Sequence, residues 1–196
     1  MEDLKQVAAK AALDFIKPGQ TIGLGAGSTI AHLVNYLKEN DTLFQSITTV
    51  TSSFNTQQLL LEHGFHTKQI GEVSQLDLYF DGCDQFDHQL NALKSGGEVI
   101  PEAVPFVMKQ LKKLFSPANP VIRLSNKKDG AVITENGNLL IDIWFHSFPL
   151  LDSLNHRLKD IPGVLETSLF YNMAHAAIIA GKKGVEIIPK DPAYLI

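Results

Sequence analysis

The chain has 196 residues, of which 44% are hydrophobic and 19% are charged, and its formal net charge is -4. This composition is unlike that of disordered or transmembrane chains, and the scattered Lys and Arg residues argue against a nucleic-acid or membrane partner. With a single cysteine, Cys83, the chain cannot form an intramolecular disulfide, and its charged start lacks the core of a signal peptide. We expect a cytoplasmic protein with a small anionic ligand.

The first half of the chain alternates between helical and strand patterns. Apolar residues recur at helical spacing from Asp3 to Ile16, and the β-branched run from Ile47 to Ser53 predicts a buried parallel strand. Further helices are predicted over Thr29 to Leu37 and over SSFNTQQLLLEHG, where Gly64 ends the helix. The run LDLYFDGCD predicts another buried strand. This alternation favours a parallel α/β sheet, whose ligands bind at the carboxyl ends of the strands.

From about Glu98 the pattern changes to short strands and two helices. The predicted helices are PFVMKQLKKLF and the segment from Pro149 to Leu158. The predicted short strands are GEVIP, PVIRLSN, AVITENG, LLIDIWF and VLETSLF. We expect an α+β lid at residues 98–171, inserted into a main domain formed by residues 1–97 and 172–196.

A glycine-rich turn between the first strand and the next helix is the strongest local motif. Gly23, Gly25 and Gly27 let the backbone approach a ligand, and Ser28 and Thr29 place hydroxyls at the positive end of a helix dipole. This pattern predicts a phosphate site, although a plain strand-to-helix turn is the alternative. No Lys follows as in a Walker loop, so a nucleotide is not implied. The seven histidines show no HExxH spacing, and we expect neither a metal nor a cofactor.

A second motif, DGCDQFDHQLNALKSGG, places acids and a lysine just past an apolar strand. A carboxylate there can shuttle a hydroxyl proton during sugar ring opening, and an ammonium can stabilise the charge on an enediolate oxygen. We therefore predict that Asp81, Asp84 and Lys94 are catalytic and line one cleft with the glycine turn. The structural alternatives are turn-forming acids, a solvated lysine and a small packed Cys83.

Taken together, these motifs resemble those of the A-type ribose-5-phosphate isomerases. The matching runs cover most of the chain in order: GLGAGST at 23–29, the serine turn at 51–53, YFDGCD at 79–84, LKSGG at 93–97, TENGNLLID at 134–142 and IPGVLETSLF at 161–170. The resemblance implies a Rossmann-like parallel sheet with an inserted ferredoxin-like lid. It also implies a homodimer or tetramer, of which we expect the homodimer, and a metal-free interconversion of ribose 5-phosphate and ribulose 5-phosphate in the pentose phosphate pathway.

The resemblance further implies roles for individual residues. Asp81 and Asp84 would open the sugar ring and orient hydroxyls, and Lys94 would stabilise the intermediate. The residues implied in holding the phosphate and the rest of the substrate are Lys5, Gly25, Gly27, Ser28, Thr29, Ser52, Ser53, Gly96 and Gly97.

The chain departs from the family pattern directly after Gly97. In the family, the lysine-glycine motif leads into a helix with the glutamate base and a further core strand before the lid begins, whereas here it leads straight into the first strand of the lid. Glu98 and Glu102 lie nearby, but they align with the lid. Losing a positioned base lowers the rate roughly 10²- to 10⁴-fold.

Two functions therefore stay open. One is an isomerase whose activity is reduced, and the other is a catalytically weak or inactive phosphosugar-binding or regulatory protein. A carboxylate within reach of the sugar C1 and C2 would separate them. A dinucleotide-binding domain is disfavoured because TTVTSS ends in hydroxyls and not in an acid that could hold a ribose.

Overall fold

A computed structural model describes residues 3–94, 96–147 and 149–191 of the chain. The helices are α1 (Leu4–Ala12), α2 (Ser28–Glu39), α3 (Asp41–Ser46), α4 (Phe54–His63), α5 (Val104–Leu114) and α6 (Leu151–Lys159). The strands are β1 (Thr21–Leu24), β2 (Thr48–Val50), β3 (Thr67–Lys68), β4 (Leu78–Phe80), β5 (Gln85–Phe86), β6 (Ala92–Leu93), β7 (Gly97–Val99), β8 (Asn119–Ile122), β9 (Leu139–Trp144), β10 (Val164–Glu166), β11 (Leu169–Phe170), β12 (Ala176–Gly181) and β13 (Gly184–Pro189). Within the described ranges, none of these helices is both long enough and apolar enough to cross a membrane.

Contacts divide the chain into two units. The first comprises residues 1–82 and 175–196, and the second comprises residues 83–174. The second unit therefore begins earlier than the predicted lid at 98–171. The physical reason is strand pairing, because β6 pairs with both β5 and β11, and β7 pairs with β9 and β10. The strands β5, β6 and β7 thus make their sheet contacts within the second unit.

The first unit contains a parallel sheet in the strand order β3-β2-β1-β4. This is the order of Rossmann-like sheets, so the predicted α/β fold class is confirmed. The strand β1 lies inside the sheet, and its middle residues are apolar. Its Ile22 pairs with Thr49 of β2 and with Leu78 of β4. Ile22 and Leu33 of α2 are buried in one core with Ala9 of α1. The hairpin of β12 and β13 completes this unit.

Local sequence signals explain where the first unit's helices begin and end. The Ser53 hydroxyl caps α4 by accepting the N–H of Thr56 at 3.4 Å, and α4 ends at Gly64, which is left-handed with φ of 76°. Gly27, with φ of 108°, precedes α2 in a backbone conformation that favours glycine. These turns place the loops after β1 and β2 at the carboxyl end of the sheet.

The second unit contains an antiparallel sheet in the order β10-β7-β9-β8. Its chain order is strand, helix, strand, strand, helix, strand, which is the ferredoxin-like arrangement that the resemblance implies. Val99, Ile141 and Val107 of α5 are buried in one core with Leu154 of α6. A smaller sheet of β11, β6 and β5 belongs to the same unit.

Two strand predictions were wrong in detail. AVITENG forms only isolated bridges, Leu124 with Ala131 and Ile133 with Leu139, because tight turns on both sides leave room for single pairs. VLETSLF splits into β10 and β11, which pair with different sheets. The Thr167 side chain lies at the split and contacts Asn155 at 3.2 Å.

Candidate active site

The glycine turn after β1 is held tightly against the end of β4. The N–H of Gly25 donates to the carbonyl of Phe80 at 2.8 Å, and the carbonyl of Gly25 accepts the buried hydroxyl of Thr56 at 2.7 Å. A Cβ at Gly25 would overlap the carboxyl group of Asp81. Glycine is therefore required here by close approach, and the approach brings the turn directly against a predicted catalytic acid.

The Asp81 carboxylate is oriented by three donors. Its Oδ1 accepts the N–H of Ala26 at 3.2 Å and the N–H of Gly82 at 2.9 Å, and its Oδ2 accepts the hydroxyl of Tyr79 at 3.2 Å. Burial raises the pKa of Tyr79 to about 12, with further contributions from the charge of Asp81 and the hydrogen bond to it. The phenol therefore stays a hydrogen-bond donor at neutral pH, and Asp81 keeps a fixed direction.

The N-termini of α1 and α2 meet beside the same turn. Lys5 Nζ, in the first turn of α1, donates to Ser28 Oγ, at the start of α2, over 2.9 Å. No described side chain caps α2, whereas the carboxylate of Asp3 caps α1 by accepting the N–H of Lys5 at 2.9 Å. The uncapped N-terminus of α2 beside the ammonium group of Lys5 forms a site suited to a phosphate.

The serine turn after β2 lies next to the glycine turn in the sheet order. Ser52 is exposed, whereas the N–H of Ser53 donates to Thr51 Oγ1 at 3.0 Å and its hydroxyl caps α4. Because Thr56 of α4 also holds Gly25, the two turns are linked. The predicted site residues of the first unit thus follow the carboxyl ends of its parallel strands, with one exception. Lys5 lies on α1 and reaches Ser28 with its side chain.

The remaining predicted residues lie in the second unit. The N–H of Asp84 donates to the carbonyl of Leu93 at 2.8 Å, and the N–H of Lys94 donates to the carbonyl of Ser168 at 3.0 Å. Gly97 begins β7, and Gly96 precedes it. The structure therefore brings Asp84 close to the residue before Lys94. That these residues line one cleft with the glycine turn stays a prediction.

Comparison with known proteins identifies the family. The family model of ribose 5-phosphate isomerase A (phosphoriboisomerase A) matches residues 48–99 and 98–184. A ribose-5-phosphate isomerase from Dictyostelium discoideum is 33% identical over 226 aligned positions, which cover 94% of this chain and 96% of the relative. This chain belongs to the ribose 5-phosphate isomerase A family.

Solved structures of the family have the same fold. Ribose 5-phosphate isomerase A from Methanocaldococcus jannaschii has a TM-score of 0.86 and 27% identity, and the match covers 95% of this chain and 98% of that chain. A D-ribose-5-phosphate isomerase in complex with phospho-erythronic acid has a TM-score of 0.89 and 28% identity, with coverage of 95% and 97%. The fold predicted from the resemblance is therefore confirmed.

The comparisons also support the predicted shortening. The alignment with the Dictyostelium relative has 226 positions and this chain has 196 residues, so at least 30 positions hold no residue of this chain. The family match breaks at residues 98–99, directly after the lysine-glycine motif. This is where the resemblance implies a helix with the glutamate base.

Glu98 lies at the break in the family match and accepts hydrogen bonds from other residues of the second unit. Its Oε1 accepts the hydroxyl of Thr134 at 2.6 Å and the side-chain amide of Asn138 at 2.9 Å. Gly137, with φ of 82°, closes the tight turn that carries both donors. Glu98 therefore has a structural role in joining β7 to this turn, which argues against its serving as a substitute base.

Two features of the structure go beyond what the sequence predicts. They are the hydrogen bond from the Tyr79 hydroxyl to Asp81 and the ion pair of Arg123 with Asp142. The sequence holds a signal for the pair, since Asp142 is an acid inside the apolar run LLIDIWF and Arg123 lies within PVIRLSN, a neighbouring strand predicted to be antiparallel. An acid at the centre of an apolar strand needs such a partner.

Proposed function

We propose that this protein interconverts ribose 5-phosphate and ribulose 5-phosphate in the pentose phosphate pathway. Its membership in the isomerase family supports the reaction class. The observation that carries the proposal is the bond between Lys5 and Ser28, which places an ammonium group at the uncapped N-terminus of α2, at the end of a parallel sheet. A sugar phosphate would bind there through its phosphate group.

Each predicted binding residue has a part in this proposal. Lys5, Ser28 and Thr29 hold the phosphate oxygens, and Gly25 and Gly27 let the backbone come close to them. The further residues proposed to face the sugar are Ser52, Ser53, Gly96 and Gly97.

The catalytic roles follow from the charges. Isomerisation opens the ring and carries a proton from C2 to C1 through an enediolate. In the family a glutamate base makes this transfer, so turnover by this chain requires another carboxylate within reach of C1 and C2. We assign Asp81 and Asp84 to moving and orienting the hydroxyl protons, and we assign Lys94 to stabilising the enediolate oxygen. The three donors on Asp81 suit it to orienting a hydroxyl group.

A second candidate function is phosphosugar binding with little or no turnover. It is favoured by the break in the family match at 98–99 and by the hydrogen bonds that hold Glu98 in the second unit. Loss of a positioned base lowers the rate by roughly 10²- to 10⁴-fold, whereas the phosphate site on the first unit is retained.

Two measurements on the purified chain test both candidates. Turnover of ribose 5-phosphate is compared with that of a full-length relative, and calorimetry compares the binding of ribose 5-phosphate, free ribose and phospho-erythronic acid. Turnover supports the isomerase, and binding without turnover supports the second candidate. Equal affinity for ribose and ribose 5-phosphate would overturn the phosphate site and both candidates with it.

We also propose that the protein is a cytoplasmic homodimer. Among the described strands β4 pairs with β1 alone, and an uncovered sheet edge is seldom left exposed to solvent. A second copy of the chain is the proposed cover. Light scattering that gives the mass of a monomer at working concentrations would refute this partner.

A further inference from the structure

Arg123 and Asp142 form a rigid ion pair in the second unit. The backbone N–H of Arg123 donates to Leu140 at 2.9 Å, and its carbonyl accepts the N–H of Val132 at 2.9 Å. Its side chain holds Asp142 at two points, with Nε donating to Oδ2 at 2.9 Å and Nη2 donating to Oδ1. The side chains are only 33% and 22% exposed. A two-point contact fixes the plane of the guanidinium group.

This pair lies directly against Gly96. A Cβ at Gly96 would be 2.5 Å from Nη2 of Arg123 and 2.9 Å from Oδ1 of Asp142, so a side chain there would displace the pair. Gly96 belongs to the lysine-glycine loop, by which we mean Lys94, Gly96 and Gly97. The backbone of this loop therefore lies against the ion pair at Gly96.

The charge of Asp84 also affects Arg123. The hydrogen bonds to Asp142 raise the pKa of Arg123, burial opposes the rise, and the charges of Asp142 and Asp84 add to it. The bond from the N–H of Asp84 to the carbonyl of Leu93 sets Asp84 beside the strand that leads into the loop. One guanidinium group thus lies near both of the second unit's predicted catalytic segments.

We propose that Arg123 is a positioning residue, whose guanidinium, held by Asp142, fixes the backbone of the lysine-glycine loop at Gly96. The catalytic consequence rests on the proposed isomerase function. Asp84 and Lys94 must meet the substrate at hydrogen-bond distance, and a displacement of about 1 Å lowers the rate on the order of 10²-fold.

Kinetics of three variants test the proposal. Arg123→Met should lower kcat for ribose 5-phosphate roughly 10- to 100-fold and change KM less than about threefold, because the phosphate is held by residues of the first unit. Arg123→Lys keeps the charge but not the two-point contact and should give an intermediate kcat. Arg157→Met is the matched control, since Arg157 instead binds the carbonyl of Leu114 and lies over the ring of Phe115.

Amide hydrogen exchange gives a readout that does not depend on turnover. In Arg123→Met, the amides of Gly96 and Gly97 should exchange about tenfold faster or more, while the buried Leu111 in α5 of the same unit keeps its protection. An equal loss at Leu111 would show general unfolding and would overturn a positioning role. Unchanged exchange in the loop, or a kcat equal to that of the unsubstituted protein, would also overturn it.

A different result would refute the proposed isomerase function and leave the positioning role of Arg123 to be tested on its own. An unsubstituted protein that neither turns over ribose 5-phosphate nor binds phospho-erythronic acid refutes that function. In that case the exchange of Gly96 and Gly97 alone decides whether Arg123 positions the loop.

Discussion

The contact between Gly25 and Asp81 offers the sharpest test of the first unit. In Gly25→Ala the new Cβ overlaps the carboxyl group of Asp81, which must then move away from its three donors. Overpacking of this kind costs about 1–3 kcal/mol, and hydrogen bonds to a charged group contribute about 1.5–3 kcal/mol each when intact. Because Asp81 is exposed and water replaces most of these bonds, we count about 1 kcal/mol for overpacking and about 1.5 kcal/mol for the three bonds together.

The reduced freedom of the unfolded chain offsets part of this loss, since a Gly→Ala change stabilises by about 0.4–1 kcal/mol where the site accepts it. We therefore expect the free energy of unfolding of Gly25→Ala to fall by about 2 kcal/mol, on the balance of these terms. Its kcat should fall roughly 10²-fold, because Asp81 leaves its position.

Urea denaturation followed by circular dichroism measures the loss, with an unchanged slope confirming a true stability change. Gly71→Ala is the matched control, because a Cβ there meets nothing within 4 Å and its stability should be equal or slightly higher. In an Asp81→Ala background the Gly25→Ala change should be much less destabilising. A Gly25→Ala protein as stable and active as Gly71→Ala would refute the reasoning.

Three further predictions concern single side chains. The pKa of Tyr79 is raised to about 12 from an ordinary value near 10. The stability that this shift contributes is therefore complete below about pH 10 and is lost as the pH rises through 12. In thermal melts over this range the stability of Tyr79→Phe should depend less on pH than that of the unsubstituted protein, and an equal dependence would contradict the assignment. Lys5→Met should weaken the binding of ribose 5-phosphate about tenfold or more in calorimetry and leave ribose unaffected, because it removes one charge-assisted bond; an unchanged affinity would remove Lys5 from the phosphate site. Glu98→Gln keeps the oxygen that accepts from Thr134, so kcat should stay within about threefold, whereas a drop on the order of 10²-fold would identify Glu98 as the missing base.

The elements that the sequence predicted well depend on local signals. The strand, glycine turn and helix from Thr21 to Glu39 follow from adjacent residues, and Gly64 ends α4 because a left-handed residue is needed there. The site at this turn could therefore be predicted without knowledge of distant contacts.

The features that were missed depend on pairing between distant segments. VLETSLF reads as one strand, but its two halves join β7 and β6, and no local property of the run reveals two partners. The ion pair of Arg123 and Asp142 likewise requires the register of β8 and β9 to be known. The bond from Lys5 to Ser28 spans 23 positions, and only the family resemblance indicated it.

The insertion of the second unit has a consequence for the order in which the protein folds during synthesis. Residues 83–174 form a continuous segment that can fold as soon as it leaves the ribosome. The first unit can complete its core only after β12 has been synthesised, because Ile178 of β12 packs against the core that contains Ala9 of α1. Until the hairpin emerges, the apolar face of α1 lacks part of its cover, and closing so long a loop slows the step. We therefore expect chaperones to bind the N-terminal segment of the first unit, which is synthesised first.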